Sequence, residues 1–173
     1  MRQQPEDHRE DLRAEAAVAQ IREIVGKAEN CFFCTTGTAE QPHARPMNVR
    51  HVDDDGTLWF LSASESSTNK EIGSDPSVRL YFQGSAHSDF LELEGEASIT
   101  RDRAKIKELW KPVIKTWFTG GVDDPRITVI KVTPTGGYYW DTKHGNAIAA
   151  VKMLIGAATG RTLDDSVEGN VDV

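Results

Sequence analysis

Between residues 31 and 99 the chain breaks into short runs of β-type sequence separated by turn signals, with room between them for one short helix only. Residues 31–36, Cys-Phe-Phe-Cys-Thr-Thr, are aromatic and β-branched, and 42–52 reads as the return strand of a hairpin across Gly37-Thr38-Ala39-Glu40-Gln41. Asp53-Asp54-Asp55-Gly56 is a strong turn, because Asp-Gly is a preferred hairpin pair, and 57–61 is the strand that returns from it. Residues 70–76 predict a short helix that stops before Asp75-Pro76. Strands follow at 77–83 and 89–100, then at 126–133 and 138–140, with Pro134-Thr135-Gly136-Gly137 read as a turn between the last two. Six to seven short antiparallel strands with flanking helices predict a mainly β (α+β) barrel rather than alternating βαβ units. No G-x-G-x-x-G follows a first strand, which removes the usual dinucleotide fold.

Two longer helices flank the β region. Ala14, Ala17, Val18, Ile21, Ile24 and Val25 recur at helical spacing and predict a helix over 12–28. Ile106, Leu109, Trp110 and Val113 give 101–114 an apolar stripe, with Pro112 expected to bend or end it. An aromatic-led loop, Trp117-Phe118-Thr119-Gly120-Gly121, follows, and 145–155 predicts a short helix. The expected organisation is one domain over 12–156, a disordered tail at 1–11 and a flexible acidic tail at 157–173.

Bulk properties narrow the function. The formal net charge is -7 at 173 residues, and without a basic run such a chain is not expected to bind nucleic acid. No apolar run approaches the roughly 20 residues of a membrane span, and the polar start lacks a signal-peptide core. A cytoplasmic location is the expectation. Cys31 and Cys34 form a C-x-x-C, but in a strand residues three apart point to opposite faces, so the thiols diverge. No second cysteine pair supports zinc, the histidines lack metal-ligand spacing, and no metal site is expected. The hydroxyls of 62–67 show neither a Ser/His/Asp order nor a nucleophile elbow.

The chemistry concentrates between Ala44 and Lys70. Arg45, in Arg45-Pro46-Met47, and the hydroxyl-rich turn Ser62-Ala63-Ser64-Glu65-Ser66-Ser67-Thr68-Asn69-Lys70 together form a cradle for a phosphate. Arginine offers a planar fork, lysine a point charge, and the turn supplies hydroxyls and N–H donors. Pro46 cannot donate a ladder hydrogen bond, which places it at an edge or bulge.

These motifs, with His43, Phe60 and the closing Tyr139-Trp140-Asp141, resemble the general stress protein 26 branch of the pyridoxamine 5′-phosphate oxidase-like family. The resemblance spans roughly residues 12 to 156 and implies a split β-barrel that binds FMN at a homodimer interface. It assigns Arg45 and Lys70, with Ser67 and Thr68, to the FMN phosphate. It sets Ser62, Ala63 and Ser64 along the flavin edge, and Trp117 and Trp140 near the ring, Trp140 from the partner subunit. The implied function is an FMN-binding general-stress-type protein with flavin-dependent oxidoreductase activity on an unspecified substrate, and no catalytic residue is assigned. Alternatives are a non-catalytic flavin-binding redox or stress module, or the same barrel holding deazaflavin F420 or haem. True pyridoxamine-phosphate oxidase activity is not expected, because the C-terminal segment, which includes Asp164-Asp165-Ser166-Val167-Glu168-Gly169, is acidic rather than basic.

Overall fold

The computed structural model describes residues 8–35, 43–142 and 166–173. In chain order these form β1 (Leu12–Arg13), α1 (Glu15–Ala28), β2 (Asn30–Thr35), β3 (His43–Asn48), β4 (His51–Val52), β5 (Leu58–Ala63) and α2 (Ser67–Ser74). There follow β6 (Ser77–Gln83), β7 (Phe90–Thr100), α3 (Arg103–Leu109), β8 (Ile127–Thr142) and β9 (Ser166–Asp172).

The antiparallel pairings return to their starting point. β2 pairs with β3 on one side and β6 on the other, β6 pairs with β7, and β7 with β8. The first half of β8 pairs with β5, and β5 with β4. Because β3 and β4 are one stretch bent at Val49–Arg50, the ring closes through that corner. The result is a barrel split between β3 and β5. Strand alternation fills its interior with Phe33, Leu58, Phe60, Leu80, Leu93, Ile130 and Val132, each fully shielded from water. Phe33 and Phe60 meet edge to face at 5.3 Å. α1 closes one side with Ala17, Ile21, Ile24 and Val25, four of the six positions of its predicted stripe; Ala14 precedes the helix and is exposed, and Val18 is half-buried.

A second, smaller core lies outside the ring. Ile106, Leu109, Ile114 and Phe118 pack with Ile127 and Val129, joined by Trp59, Leu61 and Ala63 from the other face of β5. Asp102 caps α3 by accepting from the N–H groups of Ala104 and Lys105. The helix ends at Leu109 rather than running to 114, and Pro112 opens a separate 3₁₀ turn, Pro112–Thr116, with Val113 turned to solvent.

Several boundaries differ from those expected. The proposed 42–52 strand is interrupted at the barrel corner, and the α1 stripe stops short of Leu12, which is in β1. Pro134-Thr135-Gly136-Gly137 is not a turn: β8 runs straight through it, with a bulge where Glu94 faces Gly136 and Gly95 faces Pro134. The extra residue, Thr135, absorbs the irregularity at a proline that cannot donate to a ladder. Gly137 is needed there because a Cβ would collide with the Glu92 carbonyl. Gly56, at φ +83°, does form the predicted tight turn, with its N–H on the Asp53 carbonyl at 3.0 Å.

The described parts of both expected tails join the sheet. β9 pairs antiparallel with the second half of β8, burying Val167 and Val171. β1 lies parallel to β9, and Arg9 bridges Glu168. The acidic composition of the tail concealed its alternation, in which Val167, Gly169 and Val171 are buried and Ser166 and Asp172 exposed. The helix expected at 145–155 lies outside the described residues.

Candidate functional site

The split in the barrel opens a groove of about 920 Å³. Arg45, Pro46 and Met47 of β3 line one wall, and Leu61, Ser62 and Ala63 of β5 the other. Thr68 of α2 closes one end, while Val113, Ile114, Trp117, Phe118 and Arg126 form the lip. The pleat explains the β3 wall. Arg45 faces Phe33 and Met47 faces Cys31 across the ladder, so both side chains share the barrel's inner face. Pro46 lies opposite Phe32 on the outer face, and among the described residues no strand pairs with β3 on its far edge, so its missing N–H costs no ladder bond.

Arg45 is held from two sides. Its Nη1 donates to Thr68 Oγ1 at 2.8 Å and its Nη2 to Glu71 Oε2 at 2.7 Å. Glu71 also accepts from the Thr35 hydroxyl at 2.5 Å and lies 2.8 Å from His43 Nδ1. Burial pushes the Glu71 carboxyl up, but the hydrogen bonds from Thr35, His43 and Arg45 outweigh it and hold the group down at about 2. Glu71 is therefore a carboxylate at neutral pH.

The serine-rich turn builds the start of α2. Ser66 Oγ accepts from the Asn69 N–H at 3.2 Å and lies 2.9 Å from Ser62 Oγ. Asn69 Nδ2 donates to Thr128 Oγ1, which donates to the Ser62 carbonyl, tying α2 to β5 and β8. Of the expected phosphate ligands, Arg45 and Thr68 face the groove, while Ser67 and Lys70 are exposed on α2 and do not line it. Ser64 lies beside the lip, its N–H on the Arg126 carbonyl at 2.8 Å.

The two tryptophans part company. Trp117 is on the lip, two-thirds exposed. Trp140 instead borders a second groove of about 560 Å³ on the outer sheet face, with Phe32, Pro46 and Tyr81. Cys31 is in the core, where burial pushes its thiol up to about 12, and Cys34 faces the other way.

Three cations join the first groove beyond the expected set. Arg126 forks onto the buried Asp124 through Nε (3.0 Å) and Nη2 (2.7 Å), which holds that carboxyl well below the usual carboxylate range. Arg50 donates to Asn48 Oδ1 at 2.6 Å and reaches the Leu109 carbonyl at 3.4 Å; burial lowers its guanidinium. Lys111 is exposed at the rim. Sequence signals were thin for these, although Asp124-Pro125-Arg126 places opposite charges two apart across a rigid residue. In a chain of net charge -7, the groove lining holds Arg45, Arg50, Lys111 and Arg126 with Glu29 as its acid, while Glu71 and Asp124 pair with Arg45 and Arg126 from behind it.

A family model described as pyridoxamine 5′-phosphate oxidase like matches residues 16–164. The chain belongs to that family. The protein bli-3 of Neurospora crassa is 31% identical over a 90-residue alignment that covers 47% of this chain and 43% of the fungal protein, so less than half of that relative is covered. Among solved structures, a general stress protein 26 from Jannaschia sp. CCS1 superposes with a TM-score of 0.75 at 22% identity, over 90% of this chain and 97% of that one. A general stress FMN/FAD binding protein from Xanthomonas citri superposes at 0.60 with 23% identity, over 68% and 84%. At those identities the likeness concerns the family's split-barrel fold. No helix among the described residues is long and apolar enough to cross a membrane.

Proposed function

We propose that the groove between β3 and β5 binds FMN and that the protein is a flavin-dependent redox protein of the general-stress type. The observation that carries this reading is the lining itself: a cationic set in an acidic chain, backed by Met47, Leu61, Ala63, Val113, Trp117 and Phe118. Its volume falls within the roughly 300–1,000 Å³ of small-ligand sites. That chemistry suits a ligand that is flat and apolar at one end and anionic at the other. Arg45 and Thr68 would hold the phosphate, Ser62 and Ala63 the ring edge, and Trp117 would shield the ring from water. When bound, the flavin supplies hydride or single-electron transfer, and the chain supplies binding and orientation. The lining offers no histidine, cysteine or tyrosine, and Met47 is its one group of the kind that ligates haem iron, which favours flavin over haem.

The aromatic groove on the outer face supports a homodimer. Phe32, Tyr81 and Trp140 are exposed there, and Asn30 and Pro46 border both grooves, so a second copy seated on this face would adjoin the flavin site.

A visible spectrum of the purified chain, repeated after adding FMN, tests the cofactor. Flavin absorbance that stays with the protein on gel filtration is the expected result, and a colourless protein that ignores FMN refutes the reading. Steady oxidation of NAD(P)H with an added acceptor would make it an enzyme; bound, reducible flavin without turnover would make it a redox module.

A further inference from the structure

We propose that Glu71 sets how strongly the groove distinguishes a phosphorylated ligand from its unphosphorylated analogue, because it holds Arg45 in place while cancelling most of its charge. This rests on the flavin reading above.

The charges at that end of the groove are few. Among the described residues of the lining, Arg45 is the cation hydrogen-bonded to α2, and its Nη2 is already on Glu71 at 2.7 Å. Lys70, which would have added a second positive charge, is exposed and absent from the lining. Arg126 is matched by Asp124 in the same way, at 2.7 Å. Glu71 is itself fixed by Thr35 and His43, so it cannot swing aside without giving up two partners. A phosphate that takes the remaining N–H groups of Arg45 therefore sits beside a fixed carboxylate, and like charges oppose it. A neutral hydroxyl at the same place meets no such opposition. The phosphate end is well shaped but close to electrically neutral.

The proposal is tested by dissociation constants for FMN and riboflavin, read from flavin fluorescence on the full chain, in wild type and Glu71→Gln. Wild type should prefer FMN by less than about tenfold, and Glu71→Gln should tighten FMN about tenfold while moving riboflavin less than about threefold. The same variant should melt at a lower temperature, because Arg45 loses its charged partner. A residue with only a structural role would not raise affinity while lowering stability. An unchanged FMN-to-riboflavin ratio overturns the proposal, as does selective weakening of FMN, which would mean that Glu71 serves only to orient Arg45. If Glu71→Gln does not fold, the wild-type ratio decides alone: a preference for FMN below about tenfold is expected, and one above about a hundredfold overturns the proposal. If wild type binds neither flavin, the flavin reading fails by itself. Inorganic phosphate then decides on Glu71, being expected to stabilise Glu71→Gln against heat more than wild type, with equal or lesser stabilisation overturning it.

Discussion

Arg45 shows how one side chain is made ready by its neighbours. Thr68 and Glu71 fix its guanidinium, so little rotamer freedom remains to be lost when a ligand arrives. Arg45→Ala should weaken FMN binding about tenfold or more, as expected for a charge-assisted contact. Lys70→Ala should change it less than about threefold, since its side chain is outside the groove. Fluorescence titration of both variants checks the pair. Glu71 also ties stability to pH. Its carboxyl is held at about 2 against an ordinary 4.5, so the unfolded chain takes up the proton first as the medium is acidified. The contribution is complete above pH 4.5 and disappears as pH falls toward 2, amounting to about 3 kcal/mol at most. Urea unfolding between pH 5 and 2.5 should show this decline, and Glu71→Gln should flatten it. The edge position of Arg45's strand was legible in the sequence because Pro46 cannot donate to a ladder; that Arg45 and Met47 share the inner face needed the strand register. Lys70 is exposed outside the groove lining, a placement the motif did not convey because a motif has no helical phase. Once α2 starts at Ser67, Thr68, Asn69 and Ile72 turn inward and Lys70 turns out.

Strand elements were legible wherever alternation was clean. β5 and β6 follow their pattern residue by residue, burying Leu58 and Phe60, then Val78, Leu80 and Phe82. β8 was cut in two because Pro134 and two glycines are ordinary turn chemistry, and only the partner strand reveals a bulge. β9 was missed because its buried positions are two valines and a glycine among acidic residues. The structure makes it a working part of the fold. Val171 is fully buried, so Val171→Ala should cost about 2 kcal/mol. For a chain of this size that lowers the melting temperature by roughly 4–8 °C. Val173→Ala, at an exposed position just beyond the strand, should stay within about 0.5 kcal/mol. Thermal melts of the two variants compare them directly.

At the scale of the molecule, the ring closes only because β3 bends into β4, and that bend opens the groove. A barrel was legible from strand spacing; its split was implied by the family resemblance alone, since nothing in Val49-Arg50 announces a corner. The outer face adds a further expectation. Phe32 is 61% exposed on a strand whose other face is core, and Phe32→Glu should leave the fold intact while converting a dimer to monomers. Sedimentation velocity checks this, and weaker FMN binding by the monomer would place the second copy beside the flavin. The parallel register of β1 and β9 has a mechanical consequence. The chain enters at one end of this pair and leaves at the other, with Leu12 beside Val171 and Arg13 beside Asp172. Tension applied to the two termini therefore loads these bonds together, in shear, instead of peeling them one at a time. β1 and β9 thus form a clasp loaded in shear, through which such a pull reaches the barrel behind it.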